Sequence, residues 1–207
     1  NLSVRDANGC TVILPAVTIT QPADLTVVLD DQTNLLCYDD SGGTINVTVA
    51  GGVEPSGGYI YSWTGTDYLG TLFSSSDEDL TNLKAGTYNL SVVDENNCTV
   101  ILPPVTITQP SDLVVSVTSQ TNVLCFGDAT GAINVTVSGG TIPSAGYLFA
   151  WTGTDYLGSS YNSSVEDPSG LLAGTYSLTV TDENGCNASI LPVTITSPPA
   201  LSLTVNV

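Results

Sequence analysis

Trp63-Thr64-Gly65-Thr66-Asp67-Tyr68-Leu69-Gly70 occurs again at Trp151 through Gly158, and its surroundings repeat at the same offset of 88 residues. Cys37 recurs as Cys125, Cys98 as Cys186, and Gly86-Thr87-Tyr88 as Gly174-Thr175-Tyr176. Residues 25–112 align to 113–200 without a gap, and more than half of the positions are identical. Self-similarity at a fixed period is the mark of one unit copied in tandem, so the folding problem reduces to a single unit. The ends share the pattern. Asp6-Ala7-Asn8-Gly9-Cys10 matches the runs ending at Cys98 and Cys186, and Leu201 restarts the stretch seen at Leu25 and Leu113. The chain therefore reads as the tail (last hairpin) of one repeat at 1–24, full repeats at 25–112 and 113–200, and the first strand of another at 201–207. It is expected to be a window on a longer array.

One unit reads as strands and turns. Leu25 to Cys37 is a first extended stretch, and Thr44 to Val49 alternates polar with apolar, as a half-buried strand does. Tyr59 to Trp63 is the next strand, with Tyr59, Tyr61 and Trp63 on one face. Leu69 to Leu80 holds two short strands. Thr87 to Val92 alternates again, a tight turn follows at residues 94–97, and a last strand lies around residues 105–108. No segment carries a helical apolar period. About seven short strands per unit is the count of an immunoglobulin-like sandwich. Trp63 falls on the third strand, where that architecture buries a tryptophan, and Tyr88 falls where a tyrosine corner would sit. The expected fold is all-β: tandem immunoglobulin-like sandwiches of period 88, arranged as a rod or filament. The link from Thr108 through Gln109-Pro110-Ser111-Asp112 is short and proline-restricted, which predicts a semi-rigid junction.

Charge narrows the partners. Twenty acidic residues face only Arg5 and Lys84, with no histidine, for a net charge of −18. That field repels phosphate backbones and anionic lipid, so neither nucleic acid nor a membrane surface is an expected partner. No run of about 18 apolar residues is present to insert into a bilayer. A 42% apolar fraction suffices for a packed core.

The joint pattern of Cys37, residues 43–47 (Gly-Thr-Ile-Asn-Val), Gly51-Gly52, Tyr61-x-Trp63, Leu83-x-Ala85-Gly86-Thr87-Tyr88 and Asp94-x-Asn96-x-Cys98 resembles the SprB repeat. The second unit carries it through Cys125, residues 131–135, Gly139-Gly140, Trp151, residues 173–176 and Asp182 to Cys186. The stretch from Trp63 to Leu83 is longer than usual for the family, and Asn97 stands where the turn would have glycine. The resemblance implies repeats of very large cell-surface adhesins of gliding Bacteroidota, exported by the type IX secretion system. It implies an extracellular, cell-surface location, and names no ligand.

Export would oxidise the five cysteines. The leading pairing is Cys37 with Cys98 and Cys125 with Cys186, with Cys10 bonded to a cysteine outside this chain. Each loop would restrict the unfolded chain by roughly 3–4 kcal/mol in the entropic account. A simple immunoglobulin topology puts the two cysteines of one unit at opposite poles, so Cys37 with Cys186, or Cys98 with Cys125, remain open.

Catalysis has little to work with. The absence of histidine removes the common base and the common triads, and no enzyme is expected. No cofactor is required. Calcium is the ion that oxygen-rich loops would hold, and the candidates recur in register: Asp40 and Asp128, Asp67 and Asp155, Glu78-Asp79 and Glu166-Asp167. A solvated acidic surface accounts for the same residues without an ion, and Asp94-Glu95-Asn96 reads equally well as a turn. Lys84 is replaced by Leu172, so a Lys–Asn cross-link is not a repeated device. Asn-x-Ser/Thr sequons at Asn46, Asn89, Asn97, Asn134, Asn162 and Asn187 are common by composition alone.

The expected role is structural and adhesive: a stalk for surface attachment or gliding whose partners are neighbouring repeats, a self-associated filament, or a glycan or abiotic surface. Two rivals are a glycan-binding module at the Asp67-Tyr68 and Asp155-Tyr156 loops, and a fibre assembled by strand exchange. Tyr68 packed in the core would sink the first, and a strand supplied by another chain would favour the second.

Overall fold

The computed structural model describes residues 2–204, and every described element is a strand or a turn. The first full repeat forms β3 (Thr26–Thr33), β4 (Gly43–Ala50), β5 (Ile60–Asp67), β6 (Leu72–Ser75), β7 (Leu80–Leu83), β8 (Gly86–Val93) and β9 (Thr99–Ile107). They build two sheets, ordered β3-β4-β7 and β6-β5-β8-β9. In immunoglobulin lettering these are A-B-E and C′-C-F-G, so the expected sandwich class holds on strand order alone. The second repeat forms β10 (Val114–Thr121), β11 (Gly131–Ser138), β12 (Leu148–Asp155), β13 (Ser160–Ser163), β14 (Ser169–Leu171), β15 (Gly174–Thr181), β16 (Asn187–Ser189) and β17 (Val193–Ile195). Its sheets are β10-β11-β14 and β13-β12-β15, with β16 and β17 both pairing with β15. Ahead of them, β1 (Ser3–Arg5) and β2 (Thr11–Ile13) form an antiparallel hairpin. Residues 201–204 carry no strand, and the rest of the expected strand from Leu201 lies outside the described residues.

Alternation in sequence becomes burial in space. On β4 and β8, Ile45, Val47, Tyr88, Leu90 and Val92 point inward and are buried. Trp63 is 1% exposed, and its indole N–H donates to the carbonyls of Asp77 and Glu78, which removes the cost of burying a polar atom. Gly65, two residues on, leaves room for the partner strand: a Cβ there would lie 2.7 Å from the Thr87 carbonyl oxygen and 2.9 Å from the Tyr88 ring. The tyrosine corner is present in both units. The Tyr88 hydroxyl donates to the Lys84 carbonyl at 2.8 Å, and the Tyr176 hydroxyl to that of Leu172 at 2.8 Å.

The first strand decides where Cys37 goes. β3 pairs with β4 as far as Thr33, with a bulge between Leu29 and Asp31. The chain then crosses to the opposite sheet, where Leu35 N–H donates to the Thr108 carbonyl and Thr108 N–H to Asn34 Oδ1. Cys37 is thus delivered to the pole at which β9 ends. Cys98 follows the turn after β8, at the other pole. An eight-residue strand separates those poles by roughly 26 Å, whereas a disulfide tolerates Cα atoms only about 7 Å apart. The pairings expected from sequence, Cys37 with Cys98 and Cys125 with Cys186, are therefore corrected. Cys37 is bonded to Cys186 of the other sandwich, with Cα atoms 5.7 Å apart. Cys10, Cys98 and Cys125 are exposed free thiols.

Candidate functional site: the junction between the sandwiches

Two local structures meet at the junction. One is the turn between β15 and β16. Asp182 is buried, and its Oδ1 accepts from the N–H groups of Asn184 and Cys186, while Oδ2 accepts from Thr141 N–H. A carboxylate satisfied by three backbone donors fixes the turn, the use of Asp that turn chemistry predicts. Gly140 lies against it: with φ of +61°, its missing Cβ would stand 2.7 Å from Asp182 Oδ2. Asp94 does the same in the first repeat for Val53, Asn96 and Cys98. These donors, Val53 N–H foremost, hold the Asp94 carboxyl below its ordinary range.

The other is the loop after β3. Tyr38 packs edge-on against Tyr68 with centroids 5.6 Å apart, and the Tyr68 hydroxyl donates to Asp39 Oδ1 at 2.8 Å. Lys84 Nζ meets the same oxygen at 2.6 Å. The Lys84 hydrogen bond, then that of Tyr68, keeps the Asp39 carboxyl below its ordinary range, and Asp39 in turn pushes the Tyr68 phenol up. Gln109 Oε1 accepts from Asp39 N–H, tying the linker to this loop. From the other side, Gly140 N–H donates to the Ser111 carbonyl. The proline-bearing linker is thus anchored at both ends, which removes much of its conformational freedom. Across the gap, Asn184 Nδ2 donates to the Leu36 carbonyl at 2.9 Å, beside the Cys37–Cys186 bond.

Of the acidic residues singled out from sequence, Asp40, Asp67 and Asp155 accept from backbone within their own turns, and Asp79 and Asp167 from the neighbouring strands. Asp67 Oδ1 accepts from the N–H groups of Leu69 and Thr71, and Asp155 Oδ1 from those of Leu157 and Ser159. Thr71 N–H leads in holding the Asp67 carboxyl below its ordinary range. Asp79 and Asp167 accept from Val47 and Val135 N–H. Asp40 accepts from Ser41 N–H, and the carbonyls of Glu78 and Glu166 accept from the two indoles. Asp128 N–H donates to the Cys125 carbonyl. Among the described residues, no three acidic or cysteine side chains come together as a metal site.

Tyr68 is half-buried with its hydroxyl committed to Asp39, and Tyr156 is 42% exposed against Phe126. Tyr68 packs against the edge of the first core and its hydroxyl is taken by Asp39, whereas no hydrogen-bond partner is seen for the Tyr156 hydroxyl among the described residues. Sequence reading missed the Asp39–Lys84 pair. Its signal was there in the joint replacement of both partners, by Gly127 and Leu172, in the second repeat.

The SprB repeat family model matches residues 29–67 and 117–155, the stretch from β3 through β5 in one sandwich and from β10 through β12 in the other. No curated protein matches the chain. Among solved structures, the three N-terminal domains of the bacteriophage RB49 Highly Immunogenic Outer Capsid protein (Hoc) align at 20% identity with a TM-score of 0.39, over 84% of this chain. The match spans 59% of that three-domain chain. An amphioxus IgVJ-C2 molecule aligns at 13% identity with a TM-score of 0.29, over 86% of this chain and 98% of its own.

Proposed function

We propose that these SprB repeats form a load-bearing, semi-rigid section of a large secreted adhesin on a bacterial cell surface, serving attachment or gliding. The observation that carries this reading is the Cys37–Cys186 bond. Tension applied along the chain reaches Cys37 after β3, crosses the disulfide, and leaves from Cys186. Residues 38–185 lie inside the bridged loop and are shielded from it. The doubly anchored linker and the Asn184–Leu36 hydrogen bond limit bending at the same place. The charge of −18 keeps such rods apart from one another and from anionic surfaces. Each sandwich completes its sheets with its own strands, so the arrangement favours a bonded chain of beads over a fibre built by strand exchange.

The test is labelling of the source cells with antibodies raised against this chain. Staining of intact cells, lost after brief external proteolysis, is expected. Staining that appears only after permeabilisation would overturn the reading.

A further inference from the structure

The outward pole of the second sandwich repeats the pole that holds Cys37. Phe126 packs edge-on against Tyr156 at 5.4 Å and 66°, as Tyr38 does against Tyr68 at 5.6 Å and 66°. Val123 N–H donates to the Thr196 carbonyl and Thr196 N–H to Asn122 Oδ1, the same crossing that places Leu35 and Cys37. The loop bearing Cys125 is therefore already formed, and its thiol is exposed. Leu124 is 82% exposed where its counterpart Leu36, under the seated turn, is 61% exposed.

The outward pole of the first sandwich, opposite Cys37, repeats the turn that holds Cys186. Cys98 N–H donates to Asp94 Oδ1 at 2.8 Å, as Cys186 N–H does to Asp182 Oδ1 at 2.9 Å. Asn97 adopts φ of +62° where Gly185 has +83°, so the turn keeps its form without the glycine. Cys10 N–H donates to Asp6 Oδ1 at 2.8 Å in a third copy of the same turn. Each free thiol thus sits on a copy of one half of the Cys37–Cys186 bond and is exposed.

We propose that the pole around Cys125 is a docking site for the cysteine-bearing turn of the next repeat, and that Cys98 and Cys10 occupy the equivalent loops of earlier repeats. Every repeat is then bonded to both neighbours at a constant separation of 149 residues, as in Cys37–Cys186. Successive loops overlap, since Cys125 lies inside the 37–186 loop, so one closed loop hands tension to the next. The oxidant is a disulfide donor of the export compartment. The Cys125 thiolate attacks it to give a mixed disulfide and one released thiolate. The incoming turn's thiolate then displaces the second donor sulfur. Two thiols lose two protons and two electrons, and the donor ends as a dithiol.

This inference rests on the stalk reading, but its test does not depend on cell labelling. The full chain is lengthened by a further copy of residues 113–200 after Ala200, produced under oxidising conditions, alkylated, and digested unreduced for mass spectrometry. The expected result is a monomer with Cys37–Cys186 intact and Cys125 bonded to the added copy's counterpart of Cys186. Alkylated Cys125, or its bonding to Cys98, to Cys10 or to a second molecule, would overturn the proposal.

Discussion

Asn184 Nδ2 donates to the Leu36 carbonyl across the junction at 2.9 Å and at the same time to Thr141 Oγ1 at 2.8 Å. One amide therefore spans two sandwiches while the adjacent disulfide holds them in register. With the bond intact, stretching the chain from its ends should expose only the residues outside the loop. Reduction frees a separation of 149 residues, roughly 500 Å of extra length. Single-molecule stretching with and without reductant reads this directly. Equal contour lengths in both conditions would mean that the loop is not closed. Cys37→Ser should behave as the reduced chain does, and lose about 4–5 kcal/mol of the stabilisation a loop of this size supplies.

The corner bond from Tyr88 to the Lys84 carbonyl lies against a side chain that is 2% exposed. Tyr88→Phe keeps the packing and leaves that carbonyl without its phenol donor. The expected cost is about 1–1.5 kcal/mol. Calorimetry should show one of two unfolding components shift down by a few degrees while the other stays. Tyr176→Phe should move the other component instead. A shift of both by either substitution would indicate that the sandwiches unfold as one unit.

Much of this fold was legible because the sequence states it twice. The alternating runs at residues 44–49 and 87–92, the indole of Trp63 and the corner at Tyr88 all depend on neighbours within one repeat. Local pattern is enough for these. The disulfide was legible only as one of the pairings left open, for the opposite reason. Cys37 pairs with a residue in another sandwich, and its direction depends on the crossing of residues 34–36 from β4 to β9. No local propensity encodes that switch. The acidic loops were ambiguous because a carboxylate that caps a turn and one that binds an ion look alike in sequence. In the folded chain, backbone N–H groups donate to Asp67 and Asp79.

Asp94 makes a pH prediction. Its folded carboxyl titrates below the ordinary value of 3.8 because Val53, Cys98 and Asn96 donate to the ionised form. A depressed folded value means that the contribution is fully present above the unfolded value, near pH 4, and is lost as pH falls through the folded one. Asp94→Asn turns an N–H donor or a weaker amide oxygen toward those three groups at every pH. The melting temperature of the variant should therefore lie several degrees below that of the parent at pH 7. The gap should close as pH is lowered through the folded carboxyl's titration. A gap that is constant with pH would assign the effect to packing instead of charge.

The turn-bound carboxylates also predict the response to calcium. Asp67, Asp79, Asp155 and Asp167 each direct one oxygen to backbone N–H groups. Calcium wants six to eight oxygens converging on one point, and among the described residues these carboxylates do not converge. Recruiting Asp79 or Asp167 away from the part-buried N–H groups of Val47 or Val135 would cost a hydrogen bond in each case. Saturating calcium should therefore leave the melting temperature within about 1 °C of its value in chelator, since a ligand that bound only the folded chain would raise it by mass action. A rise of several degrees, paired with a stoichiometric heat of binding, would show that an oxygen cage forms at these loops after all.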